Sequence, residues 1–82
     1  QEFDQAIQLL PYFAEPYYGR AITYAKLGQY QRAIDDFDKA ILIDPNFAMA
    51  YLMRGDGYYY LGQITKADAD KAKACSLDSK YC

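Results

Sequence analysis

An all-α fold is predicted, a short stack of antiparallel helix pairs wound as a right-handed superhelix of about five helices. Three observations predict it: a fixed repeat, helical spacing of apolar residues, and regular punctuation by Gly and Asp-Pro. Residues 14–47 laid over 48–81 agree at twelve positions, a period of 34 residues. They are Ala14/Ala48, Tyr17/Tyr51, Arg20/Arg54, Tyr24/Tyr58, Leu27/Leu61, Gly28/Gly62, Gln29/Gln63, Ala33/Ala67, Asp36/Asp70, Lys39/Lys73, Ala40/Ala74 and Asp44/Asp78. The first thirteen residues keep the same ruler, since Phe3, Asp4, Ala6, Ile7, Pro11 and Phe13 return as Phe37, Asp38, Ala40, Ile41, Pro45 and Phe47. A period of this length marks stacked supersecondary units.

Taken in order, residues 1–13 read as the second helix of an incomplete unit, ended by Pro11. The unit 14–47 opens with a helix over about Glu15–Leu27, where Pro16 is tolerated because its missing N–H falls in the first turn. Tyr17, Arg20, Ala21, Tyr24 and Leu27 recur at spacings of three and four, as one helix face requires. Gly28 is placed to close this helix in a left-handed conformation. A second helix over about Gln31–Ile43 carries Ala33, Ile34, Phe37, Ala40, Ile41 and Ile43 as its apolar stripe. Asp44-Pro45-Asn46 ends it, because the residue before proline is driven out of the helical region; Asn46 is placed to cap the next helix. The unit 48–81 repeats the plan, with helices over Ala48–Leu61 and about Ile64–Leu77 around Gly62.

Small residues fall where helices must approach, at Ala21/Gly55, Ala33/Ala67 and Ala40/Ala74, with large aromatics beside them. Such alternation suits interdigitated packing. Period, helix–Gly–helix plan, paired Tyr, small-residue notches and terminal Asp-Pro resemble the tetratricopeptide repeat. The resemblance covers essentially the whole chain, as two full repeats and the trailing helix of a third.

Composition narrows the function. The chain has 82 residues, 52% apolar, with ten Tyr, and carries 9 basic against 11 acidic side chains for a net charge of −2. No basic run marks a nucleic-acid footprint, and the longest apolar run, Ala48–Met53, is far too short to span a bilayer. Without any His or a second Cys pair, no metal or other cofactor is expected. Nor is catalysis, since no nucleophile has an evident base. Cys75 reads as a small buried thiol and Cys82 as an exposed one, and nothing in the sequence supports a disulfide between them. The chain opens inside a helical pattern and is read as part of a longer array, which leaves its compartment open.

The resemblance implies a protein or peptide partner held on the concave face formed by the first helices. The corresponding positions are Glu15, Tyr18, Ile22, Ala25 and Lys26, then Met49, Leu52, Asp56, Tyr59 and Tyr60. Aromatic and Met side chains suit interface centres, although Tyr59 and Tyr60 read equally as packing between helices. The family's chaperone-binding members clamp a heat-shock C-terminal carboxylate with Lys, Asn and Arg. Here Tyr18 and Ile22 stand for its Lys and Asn, and Met53 for another Asn, so that clamp is absent.

Arg20 and Arg54, beside framework Tyr, are expected to stack on an aromatic or to pair with a carboxylate such as Asp35, Asp36 or Asp38. The last helix puts Asp68 and Lys71 where Ile34 and Phe37 stand, and reads as a drifted repeat or as a polar end cap, the latter fitting the need of terminal repeats. At the other edge Phe3, Ala6, Ile7 and Leu10 form an apolar stripe without a partner, so self-association through Phe3, Ile7 and Leu10 is the alternative role.

Overall fold

Helix starts and stops follow the two glycines and the two Asp turns. A computed structural model of the chain describes residues 2–82; Gln1, the first residue of the 1–13 segment, lies outside them. Five α-helices run in sequence: α1 Glu2–Leu9, α2 Ala14–Lys26, α3 Tyr30–Ile43, α4 Ala48–Tyr60 and α5 Ile64–Leu77, followed by a 3₁₀ turn over Ser79–Tyr81. Gly28 and Gly62 sit at φ +77° and +79°, the left-handed region that an L side chain resists. Each completes a double-bonded helix stop. Gly28 and Gln29 donate to the carbonyls of Ala25 and Tyr24 at 3.0 and 2.9 Å, and Gly62 and Gln63 do the same to Tyr59 and Tyr58 at 2.9 Å.

The turn between units differs from expectation. Asn46 does not cap α4; Phe47 occupies that position without a side-chain hydrogen bond. Instead the Asn46 N–H donates to Asp44 Oδ1 at 3.1 Å, a side-chain turn that Asp78 repeats with the Lys80 N–H at 3.1 Å. Asp competes well for local backbone donors, so the residue before Pro45 shapes the turn.

Each helix packs chiefly on its sequence neighbours, α2 on α3, α3 on α4, α4 on α5, with α1 against α2. The core is built from alanines around one large side chain: Ala21, Ala33, Ala50 and Phe37 are fully buried, with Tyr18, Ile22, Tyr24, Ile41, Phe47 and Met53 packed against them. Small side chains bring the backbones close enough for Phe37 to fill the remaining space. In α4 the notch is deeper. A Cβ on Gly55 would stand 3.1 Å from the Ala67 carbonyl oxygen and from Asp70 Cβ.

Cys75 and Cys82 are joined in a disulfide, which corrects the reading of Cys75 as a buried free thiol. The register explains the placement: Cys75 stands where Ile41 stands one period earlier, and Cys82 where Ala48 stands. The bond therefore links the two sides of an inter-unit turn, at positions that the preceding turn fills with apolar residues. Of the apolar stripe foreseen at the N-terminal edge, Phe3, Ala6 and Ile7 lie on α1, whereas Leu10 falls beyond its end and is exposed. The α5 side chains Asp68, Lys71, Ala72 and Lys73 are exposed, leaving only Ala67, Asp70 and Ala74 buried.

Gly55→Ala should lower the unfolding free energy by about 1–3 kcal/mol, the usual cost of overpacking a tight contact. Urea unfolding followed by circular dichroism measures it; a change below a few tenths would mean that α4 and α5 can part without cost.

Candidate functional site

Two surfaces concentrate polar chemistry and accessible space. One is internal to the stack. Asp36 and Asp70, at equivalent places on α3 and α5, are 2% and 5% exposed, and a carboxylate at such depth needs a partner. Arg20 supplies it to Asp36 through two parallel bonds, Nε to Oδ2 at 2.7 Å and Nη2 to Oδ1 at 2.8 Å. Its Nη1 donates to Asp4 Oδ1 on α1 at 3.0 Å. Arg54 repeats the arrangement with Asp70 at 2.8 and 2.7 Å and with Asp38 on α3 at 2.9 Å.

Each guanidinium thus joins the second helix of its own unit to that of the unit before. Hydrogen bonding to the buried carboxylate outweighs the opposing desolvation and raises both arginines above their ordinary range. The rings follow the same period. Arg20 and Arg32 lie 5.9 Å from the Tyr24 centroid, while Arg54 and Lys66 lie 5.7 and 5.5 Å from that of Tyr58. Lys39 over Tyr17 at 5.8 Å and Lys73 over Tyr51 at 5.9 Å complete the pattern. The expected pairing and stacking of Arg20 and Arg54 are both present, with Asp36 as the buried acceptor and Asp35 exposed outside the network.

The second surface is an open groove of about 300 Å³ lined by Ile22, Ala25 and Lys26 of α2, Tyr30 of α3, and Met53, Asp56, Gly57 and Tyr60 of α4. Ile22, Ala25, Lys26, Asp56 and Tyr60 of the expected concave set come together here. The remainder fall elsewhere. Tyr18 packs into the framework, with its ring 4.7 Å from Phe47 and 5.8 Å from Phe37. Glu15 lines a separate cavity beside α1, and Tyr59 stands edge-on to Tyr60 at 5.9 Å. Met49 and Leu52 are half-buried outside the groove lining.

Three groove residues, Tyr30, Met53 and Gly57, lie outside the concave set expected from the sequence. Tyr30 stacks on Tyr60 with centroids 4.8 Å apart and forms one wall. Met53 and Gly57 follow from the α4 surface facing α2, a signal that their spacing from Asp56 and Tyr60 already carried. Gly57 presents backbone because a Cβ there would meet Ile34 Cγ1 at 3.2 Å. Among the charges of the groove, Asp56 is 3.9 Å from Lys71, whereas Lys26 pairs with no described carboxylate. Among the described residues no group of three or more His, Cys, Asp or Glu could hold a metal, and no helix is long and apolar enough to cross a membrane.

The tetratricopeptide repeat family model matches residues 14–47. Two crystal structures of MamA are 31% identical in sequence and superpose with TM-scores of 0.90 and 0.87. Each covers 95% of this chain, which spans less than half of theirs, 46% and 43%. The first tetratricopeptide domain of Spaghetti (RPAP3), bound to the HSP90 peptide SRMEEVD, superposes with a TM-score of 0.92 over 94% of this chain and 61% of its own. At 22% identity it bears on the fold alone. No curated protein matches the chain.

Arg54→Met should cost about 3–5 kcal/mol because it strands the buried Asp70 carboxylate, whereas adding Asp70→Leu should recover most of the loss. A double-mutant cycle in urea measures both. A second expectation concerns alkali. Burial, and next the charge of a nearby Tyr81 phenolate, raise the Tyr18 pKa above its ordinary value of 10.0. The folded state then holds that proton more tightly than the unfolded chain. Its contribution is complete below about pH 10 and is lost as pH rises through the higher folded value. Unfolding free energies from about pH 9 to 11.5 should therefore fall, and Tyr18→Phe should flatten the fall.

Proposed function

Because the chain belongs to the tetratricopeptide-repeat family, we propose that it is a protein-interaction scaffold that seats a peptide or helix of a partner in the groove between α2 and α4. The observation that carries the reading is the groove itself, about 300 Å³ of mostly apolar space open to solvent beside a rigid Arg–Asp framework. Its size lies at the lower end of ordinary ligand sites, about 300–1,000 Å³. That favours one or two large apolar side chains as the anchor. Ile22, Ala25 and Met53 supply apolar contact, while Tyr30 and Tyr60 are pre-stacked and lose little freedom on binding.

Lys26 and Asp56 set polarity at opposite helices and favour a segment with charges on both sides of its anchor. The partner envisaged is a protein segment and neither nucleic acid nor membrane, given a net charge of −2 and no basic patch. The role is non-catalytic, since the sequence holds no His and the buried carboxylates are committed to arginine. A heat-shock carboxylate is not the ligand proposed, because Tyr18, Ile22 and Met53 offer none of the polar donors such an end requires.

Panning a displayed library of random peptides on the chain should enrich sequences with a central large apolar residue. Met53→Asp should weaken the enriched peptides by about tenfold or more, the cost of burying a charge against an apolar anchor, while Ile7→Asp on α1 should leave them unchanged. Failure to enrich any sequence, or equal binding to the Met53→Asp chain, would sink the proposal.

A further inference from the structure

The turns α2–α3 and α4–α5 emerge at one edge of the stack, because successive helices run antiparallel. Leu61 of the second turn joins Gly28, Gln29, Tyr30, Gln31 and Arg32 around a shallow depression of about 500 Å³. Around it Leu27, Tyr60 and Leu61 are 63%, 65% and 39% exposed. Large apolar side chains gathered in water at one place mark a contact surface. Their exposure belongs to the turns themselves, since Leu27 and Arg32 stay in water although a whole further unit packs against theirs.

The charge at this edge has one sign. Residues 26–34 and 57–67 hold Lys26, Arg32 and Lys66 and no acidic residue. None of these cations pairs with a described carboxylate. Arg32 instead lies 5.9 Å from the Tyr24 ring and donates to Gln29 Oε1 at 3.1 Å, while Lys66 lies 5.5 Å from the Tyr58 ring. The nearest acids along α3 and α5 are Asp35 and Asp68, and Asp35 already accepts from the Gln31 amide at 3.1 Å. At the opposite edge Glu15, Asp44 and Asp78 flank the turns between units. A molecule of net charge −2 thus keeps one edge positive and partly apolar.

We propose that this edge is a second docking surface, and that its occupant is an acidic segment of another protein with large apolar side chains between its carboxylates. The apolar side chains cover Leu27 and Leu61, one of them entering the depression, while the carboxylates meet Arg32 and Lys66. Charge complementarity selects this chemistry. Three scattered cations fall short of the roughly 4–8 clustered Lys and Arg that hold an anionic bilayer, and of the basic stripe that tracks a nucleic-acid backbone. A depression cut by side chains also suits another side chain better than a flat lipid surface. Tyr30 is the wall between this depression and the α2–α4 groove, so the two sites are separate and the two proposals stand or fall apart.

The probe is a fluorescein-labelled, end-blocked peptide of repeating Glu-Leu-Glu-Phe, titrated with the 82-residue chain and read by anisotropy. Saturable binding is expected, and it should weaken as salt is added. Arg32→Glu with Lys66→Glu should weaken it by about tenfold or more and should instead confer binding of a Lys-Leu-Lys-Phe peptide. Exchanging Leu and Phe of the probe for Ser should weaken it similarly, whereas Met53→Asp in the groove should leave it unchanged. Arg32 and Lys66 are exposed, so an unchanged circular dichroism spectrum serves as the folding control. No binding into the millimolar range would overturn the proposal, as would affinity indifferent to the two charge reversals. An equal loss on Met53→Asp would overturn it by assigning the peptide to the groove. Cosedimentation with phosphatidylserine vesicles that the charge reversals abolish, without binding of the peptide, would overturn it in favour of a membrane.

Discussion

Burial of Asp36 and Asp70 is the constraint around which the stack is organised. A carboxylate removed from water is tolerable only where donors of fixed geometry meet it, and a guanidinium fork is the side chain best shaped to do so. Arg20 and Arg54 can reach that position only if the first helix of a unit lies close along the second, which the notches at Ala21 and Gly55 permit. Close approach in turn leaves room for a single large apolar residue, Phe37, and not for a wide oily core. The same arginines then extend a third donor to the helix behind, at Asp4 and Asp38. Intra-unit packing and inter-unit register are thereby set by one side chain.

The groove inherits its form from that framework. Tyr30 at the start of α3 stacks on Tyr60 at the carboxyl end of α4, and the space between α2 and α4 is lined by side chains carried on helices. Sites on rigid elements lose less entropy on binding than sites on loops. The difference between units also matters here. The first helix of one carries Gly19 where the other carries Met53, so Phe3 can approach α2, while the equivalent space on α4 is filled by a flexible thioether facing the groove.

Much of the architecture could be read from residues alone because its signals are local and repeated. Gly28 and Gly62 needed only their position after an apolar stripe, and Pro11 and Pro45 marked the ends of helices. Arg20 and Arg54 could be seen to need acidic or aromatic partners, yet choosing Asp36 over Asp35 required helix phase, since adjacent positions point about 100° apart. The groove was less legible. Whether Tyr30 belongs to a core or to a wall depends on how far α4 stands from α2, a tertiary distance with no signature in spacing. Cys75 and Cys82 were misread for a related reason: seven residues separate them in sequence, and only the backbone turn at Asp78 brings them together.

The third hydrogen bond of each arginine has a consequence for how the molecule comes apart. Arg54 touches α3 and α5 at once, so fraying of the last pair removes a donor from the pair before it, and Arg20 passes the loss on towards α1. A row of units joined only by weak apolar seams would melt piecemeal from its ends. Links that span the seams act like the coupling between adjacent spins in a one-dimensional magnet, where strong coupling aligns the whole row. Because Asp4 and Asp38 are about half exposed, each such link adds only a modest increment to that coupling, most of which rests on the packing of α3 against α4.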